Sequence, residues 1–283
     1  MVKALAKLIF IPINFLDNIL NYLFNRSFII WFSEFINYEK YSFGFKFFIP
    51  NPTIRWRVNT LYQKEPETIE WIKNFQNNSI FWDIGANIGL FSLYCAKTHP
   101  NISVISFEPS TSNLRVLSRN IYLNNFQDKI KIFQLPLSNK SFEFSSMNEG
   151  VFTEGGASNS FGVNYDYSGN EIQTKNEYQL IGTSIDFIIN NKFLKIPNYI
   201  KIDVDGIEHL ILTGAIETLK SNQIREILIE INENFGDQYS NCLKILSDSG
   251  FKLREKFKQI APKNSKDSDM YNYIFTKEYK FEK

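Results

Sequence analysis

Apolar and polar positions along the chain fall into three regimes. Near the N-terminus, Leu8 to Leu16 is uncharged and mostly apolar. From Ile13 onward Asn14, Asn18, Asn21 and Asn25 recur at spacings of four and three, while Leu16, Leu20 and Leu23 mark another face. Such spacings keep residues on one side of a helix, so the segment predicts an amphipathic helix. Signals are mixed through about Lys64, where Pro50 and Pro52 interrupt any run. Beyond that point short apolar runs alternate with helix-length patterns. Ser79–Gly85, Ile102–Phe107, Lys131–Leu137, Tyr199–Val204 and Glu226–Ile231 read as strands. Leu90–Thr98, Thr111–Leu123, Ile185–Asn190, Ile207–Leu219 and Gln238–Asp248 read as helices, the last stopped by Gly250. Alternation of this kind marks βαβ units, whose parallel strands are buried on both faces. Phe251–Phe257 and Met270–Thr276 alternate as a closing antiparallel pair would. The expected fold is α/β, a doubly wound, mainly parallel sheet with a terminal antiparallel strand pair. Residues 138–182 interrupt it with Gly150, Gly155, Gly156, Gly162 and Gly169 among Ser and Asn, and predict a loop and hairpin insertion. The expected organisation is an N-terminal helical extension over 1–60 and one larger domain over 61–283 carrying that insertion.

Composition narrows the function classes more than the fold. With 283 residues, 43% hydrophobic and 22% charged, the chain has an ample core, which excludes disordered, collagen-like and coiled-coil classes. Lys+Arg 31 against Asp+Glu 30 leaves a net charge of +1, too little for a global field that gathers nucleic acid, so no nucleic-acid partner is expected. Cys95 and Cys242 lie far apart and read as free thiols of a reducing, cytoplasmic setting; with only His99 and His209 there are too few ligands for an ordinary structural zinc site. The N-terminal apolar run follows Lys3 and Lys7 as a signal-peptide core would, but Asp17 interrupts it and no small-residue cleavage site follows. It also falls short of the roughly 20 apolar residues of a membrane span. The helix is expected to pack on the domain or against a second copy in a homo-oligomer. Peripheral contact with a membrane surface is the other reading, weakened by a polar face poor in Lys and Arg.

In open α/β sheets ligands bind where strands end and helices begin. The first strand exits through Asp83-Ile-Gly85-Ala86-Asn87-Ile-Gly89, whose glycines allow a sharp turn and close approach to bare backbone at a helix N-terminus. A dinucleotide would bring a pyrophosphate here, and Asp83 would repel it; Asn87 and Leu90 also replace the second and third glycines of the dehydrogenase pattern. A cationic cofactor suits Asp83 better, and S-adenosylmethionine carries an ammonium and a sulfonium. At the second exit, Glu108 is set to accept both ribose hydroxyls.

These residues resemble the FkbM-type S-adenosylmethionine-dependent methyltransferases. The likeness rests on Phe81-Trp-Asp-Ile-Gly-Ala-Asn-Ile-Gly-Leu-Phe-Ser92 and on Phe107-Glu-Pro109 followed by Asn113, Leu117 and Asn120. It continues through Leu137-Ser138 and Tyr199-Ile-Lys-Ile-Asp-Val-Asp-Gly-Ile-Glu208, leading to Gly214-Ala215, and spans about residues 60 to 277. The resemblance implies a Rossmann-like class I methyltransferase fold with strand order 3-2-1-4-5-7-6, S-adenosylmethionine as donor and O-methylation of a hydroxyl. It places cofactor contacts at Asp83, Gly85, Ala86, Asn87, Gly89, Glu108, Leu137 and Ser138. Asp205 stands where the family usually has Glu.

Methyl transfer is an in-line displacement, so holding the acceptor oxygen close and collinear should supply most of the catalysis. The fourth exit, Lys201-Ile-Asp203-Val-Asp205-Gly-Ile-Glu208-His209, is the richest titratable cluster in the chain. Two mechanisms follow. In the favoured one Asp203, Glu208 or His209 acts as general base without a metal; in the other, Asp203 and Asp205 hold Mg²⁺, which acidifies the acceptor hydroxyl. Hydroxyl, amide and aromatic groups in Gly155–Gly162 suit a carbohydrate or related small-molecule acceptor, and Glu230 with Asn232 is a candidate second wall. Two other readings compete: a nucleotide-sugar glycosyltransferase using Asp203-Val-Asp205 as a metal motif, and a non-catalytic module that keeps the fold and binds a partner.

Overall fold

The computed structural model describes residues 2–24, 27, 39–259 and 269–277. Helix α1 (Val2–Phe24) is followed by an antiparallel hairpin, β1 (Glu39–Ser42) and β2 (Phe45–Phe48), then by α2 (Pro52–Asn59) and α3 (Pro66–Lys73). Asn51 caps α2 by accepting from the Ile54 N–H, ahead of Pro52 in the first turn, where a missing donor is harmless. The expected helical extension to residue 60 needs correcting here. Phe45, Phe47, Ile54 and Val58 are buried in the same core cluster as Phe81 and Leu93, so the hairpin and α2 belong to the main body.

Strand and helix then alternate: β3 (Ile80–Ile84), α4 (Leu90–Thr98), β4 (Ser103–Phe107), α5 (Thr111–Leu123) and β5 (Ile130–Phe133). The insertion contributes β6 (Glu143–Glu149), β7 (Asn159–Phe161) and β8 (Asn176–Gly182), a small antiparallel sheet ordered β7-β6-β8. The main chain resumes with α6 (Ile185–Asn190), β9 (Tyr199–Ile202), α7 (Glu208–Thr213), α8 (Ile216–Leu219), β10 (Glu226–Asn232), α9 (Gly236–Asp248), β11 (Lys252–Lys258) and β12 (Met270–Thr276). Seven strands form the main sheet in the order β11-β12-β10-β9-β3-β4-β5. Strands β3, β4, β5, β9 and β10 are parallel, and β12 runs antiparallel between β10 and β11. Counted from β5 in chain order, this is the 3-2-1-4-5-7-6 arrangement that the resemblance implies. Five parallel strands with a closing antiparallel pair make this a Rossmann-like α/β fold.

Burial on both faces explains the unbroken apolar runs. On β3, Phe81 joins one core layer while Trp82 and Ile84 join the other. Two expected boundaries shift for local reasons. The third strand stops at Phe133 instead of Leu137, since Pro136 has no N–H for the ladder, and Leu137 instead bridges Thr183 beside the insertion. The helix expected over Ile207–Leu219 divides around Gly214, where a Cβ would stand 2.2 Å from the Ser138 carbonyl oxygen.

The N-terminal helix does form, but the expected packing on the domain is slight. Among its side chains described, Ile13, Asp17 and Leu20 are half-buried and the rest are exposed. No described helix is long and apolar enough to cross a membrane.

Candidate active site

Reversal of winding between β3 and β9 opens a crevice at their C-terminal ends, and two clefts meet there. The first, with about 580 Å³ of open space, runs past the β4 and β5 exits under the insertion. The second, about 510 Å³, lies toward α2. Gly85, Asn87 and Asp203 border both.

Gly85 is where the two strand exits cross. Its φ is +83°, and a Cβ there would fall 1.8 Å from the Asp203 carbonyl oxygen, so this position needs glycine for both conformation and space. Its N–H and that of Ala86 both donate to Phe107 O at 3.0 Å, which folds the loop over the β4 exit. Glu108 completes the turn: Oε2 accepts from Asn87 N at 2.7 Å and Oε1 from Ser110 N at 2.9 Å. Burial pushes its carboxyl up to about 8, against the pull of these hydrogen bonds. The first cleft sets three acids, Glu108, Asp203 and Asp205, among apolar side chains that include Pro136, Leu137, Ile207 and Ile211.

Asp83 lies outside both clefts. It is 1% exposed and absent from both cleft linings; Oδ2 accepts from Ser92 Oγ at 2.5 Å, and Ser92 in turn meets Ser106. Burial raises its pKa, with the Lys201 ammonium opposing. Of the two expected ways to hold a cationic ligand, directly or through the loop backbone, this buried position beneath the loop leaves the second. Gly89 caps α4 against Leu117, and Ser138, buried, donates from its N–H to Thr183 O at 2.9 Å; neither lines a cleft.

The fourth exit also sorts its acids. Asp203 is half-buried and accepts from Lys201 Nζ at 2.6 Å. Burial would raise its pKa, but the Lys201 and Lys64 cations prevail and hold it below the ordinary range. Lys201 is itself 1% exposed and stays protonated despite burial, through Asp203, Glu65 and Asp83. Asp205 does not share a face with Asp203, because β9 ends at Ile202 and Asp205 turns to φ +59°. Its carboxylate accepts from Ser158 N at 2.8 Å; burial, with Asp203 adding repulsion, pushes it up to about 6. Glu208 and His209, the other expected bases, lie outside both of these clefts. Glu208 accepts from Val204 N and Gly206 N and from the Gln238 amide, and burial pushes it up to about 8. His209 sits against Phe235, and neither residue lines a cleft.

Sequence reading missed the second cleft's wall. Arg57, Thr60, Lys64 and Glu65, in and after α2, come to the site only through folding. Arg57 Nε donates to Gly155 O at 2.6 Å, and Lys64 pairs with Glu65 at 3.1 Å. From the Gly155–Gly162 stretch, Gly156, Asn159 and Phe161 line the first cleft. The segment is strapped down: Asn87 Nδ2 donates to Gly156 O at 2.8 Å, and Gly155 N donates to Asn113 Oδ1 at 2.8 Å. Glu230 and Asn232 line neither cleft. Burial, with Asp203 next, raises the Glu230 pKa, while Asn232 donates to Tyr167 O. No three His, Cys, Asp or Glu side chains converge as a metal group among the described residues.

The chain is similar in sequence to several methyltransferases. A 70-residue stretch is 41% identical to Methyltransferase sdnD of Sordaria araneosa, covering 25% of this chain and 27% of that protein. Over 194 residues the chain is 22% identical to the Hexuronic acid methyltransferase AglP of Haloferax volcanii, covering 69% of this chain and 72% of the relative. It is also 22% identical over 191 residues to the 31-O-demethyl-FK506 methyltransferase FkbM of Streptomyces tacrolimicus, covering 61% and 72%. The Methyltransferase FkbM domain matches residues 83–253, from the acid beneath the glycine turn through the last parallel strand, and that match leaves no room for the glycosyltransferase reading. This chain belongs to the FkbM methyltransferase family.

Proposed function

We propose that the chain transfers a methyl group from S-adenosylmethionine to a hydroxyl of a sugar or related small molecule. One observation carries the reading: two clefts of different chemistry meet over Gly85, Asn87 and Asp203. The first cleft, rich in apolar side chains at the β4 and β5 exits, suits an adenosine, with Glu108 toward the ribose hydroxyls and Leu137, Ile207 and Ile211 around the base. A mixed-charge cleft suits a zwitterionic amino acid, with Arg57 and Lys64 toward the carboxylate and Glu65 toward the ammonium. Asn87 Oδ1 and Asn159 Oδ1 support the fit, since both are buried acceptors without a partner in the protein, and the proposed ligand carries ribose and amino donors.

When bound, the donor supplies an electrophilic methyl on a sulfonium. The protein's work is to orient the acceptor hydroxyl and receive its proton. We assign this to Asp203, which the Lys201 cation keeps ionised at neutral pH and which borders both clefts. Its low pKa makes it a weak base, so it acts by holding the hydroxyl and taking the proton as the O–C bond forms. Lys201 already supplies Asp203 with a fixed cation, which favours the route without Mg²⁺. The relatives named for a hexuronic acid and for a 31-O-demethyl substrate support an oxygen acceptor on a small molecule.

Calorimetry with S-adenosylmethionine tests the donor. Arg57→Ala or Lys64→Ala should weaken binding about tenfold, as loss of a charge-assisted contact does. Asp203→Asn should lower turnover about 100-fold or more while weakening donor binding less. Chelator should change activity by less than about twofold, since no step uses a metal. No heat with S-adenosylmethionine would overturn the reading, and activity abolished by chelator and restored by Mg²⁺ would overturn the metal-free route. Mass spectrometry of glycans and lipids from cells with and without the protein would name the acceptor through the mass added when CH₃ replaces H.

A further inference from the structure

We propose that α1 is an in-plane anchor that seats this enzyme on an anionic membrane surface, its apolar sector buried at the boundary between headgroups and acyl chains. The inference is independent of which molecule is methylated.

The helix carries far more exposed apolar surface than a folded chain leaves in water. Tyr22 is 90% exposed, Phe15 69%, Ile11 68% and Leu23 61%, with Leu16 and Ile19 exposed beside them. At about 100° per residue, Asn14, Asp17, Asn18 and Asn21 fall within a sector of roughly 100°, and these exposed apolar residues fall outside it. Ile13, Asp17 and Leu20, spaced four and three apart, are the half-buried positions and share another side. What remains is a broad exposed apolar sector, and a contiguous patch of that kind calls for a cover.

Two observations select a bilayer over a second copy of the chain. A helix pair buries a narrow seam, two positions in seven, whereas this sector spans Ile11, Phe15, Leu16, Ile19, Tyr22 and Leu23 and includes Pro12, which does not suit a continuous seam. Charge supplies the second. The first 27 residues carry Lys3, Lys7 and Arg26 against Asp17 alone, whose carboxylate accepts from Ser27 Oγ at 2.9 Å. This cationic excess is small, so the wide apolar face carries most of the attachment to an interface and the charge adds a preference for anionic lipid; α1 lacks the apolar length to cross a membrane.

The test is co-sedimentation of the full-length protein with vesicles of phosphatidylglycerol and phosphatidylcholine, with vesicles of phosphatidylcholine alone, and with none. Binding is expected to the mixed vesicles, several-fold weaker to the neutral ones, and only partly released by high salt. Phe15→Glu with Leu23→Glu alters two exposed positions and should cut binding to the mixed vesicles at least about tenfold, the scale expected when two large apolar side chains leave the interface. Unchanged S-adenosylmethionine affinity and melting temperature would show that this variant is folded. Three results would each overturn the proposal: wild type that stays in the supernatant, a variant that binds vesicles as well as wild type, or a solution dimer that the variant splits while vesicles have no effect.

Discussion

Gly85 shows how much a single position can hold. It combines a left-handed backbone with contact against the Asp203 carbonyl, so Gly85→Ala meets both a conformational penalty and a collision with backbone that cannot swing away. A cost of about 3 kcal/mol or more follows, since strain and overpacking add. Chemical denaturation should reveal it, accompanied by loss of donor binding; a variant as stable as wild type would mean the two strand exits do not cross as described. Asp83 teaches a different lesson about charge. Its place in the motif suggested a ligand contact, yet Ser92 and Ser106 enclose it. Position along a strand fixes which face a side chain takes, whereas its depth depends on what the following helix lays over it. Asp203 and Asp205 likewise read as a pair, and only the turn after Ile202 sends them apart.

At the scale of elements, the insertion is a working part of the crevice. Residues 155–159 are held by Asn87, Asn113, Arg57 and Asp205, which come from four separate parts of the chain. Asp205 accepts the strap's N–H groups best as a carboxylate, and its pKa is about 6. Lowering the pH through 6 should therefore loosen the strap and speed release of bound donor, giving activity an acid limb that Asp205→Asn removes. Stopped-flow measurement of donor release between pH 5 and pH 8 would check this, and a release rate independent of pH in wild type would count against it. Asn113→Ala should also speed release, about tenfold, by removing the acceptor for Gly155 N at every pH. Glycine and serine content marked residues 138–182 as irregular, and their hairpins were legible. The strap's docking was not, because it depends on side chains from α2 and α5 meeting it in space.

Across the molecule, buried acids tie stability to pH. Glu108 and Glu208 are pushed up to about 8 and Asp205 to about 6, chiefly by burial. Each has a higher pKa folded than unfolded, so folding takes up protons between the two values. Stability from these groups is fully present below their unfolded pKa values and is lost as pH rises through the folded ones. The ligand-free protein should therefore melt at a lower temperature at pH 8.5 than at pH 5.5. Glu208→Gln, which removes one such acid away from the clefts, should flatten that slope. Calorimetric melting across this range decides it, and a Tm that rises toward pH 8.5 would contradict the burial described for these carboxyls.

The order of strands and helices from β3 onward, the glycine turn, the acid at the β4 exit and the family were all legible in the chain itself. Each is written locally, in hydrophobic period, turn residues and short motifs at strand ends. Tertiary structure alone decided that Asp83 lies beneath the loop, that Glu208 and His209 point away, that Lys201 holds Asp203, and that Arg57 and Lys64 furnish the second cleft. Those outcomes depend on which side chains share a volume after residues more than a hundred positions apart have packed together, and burial and charge pairing are properties of that volume.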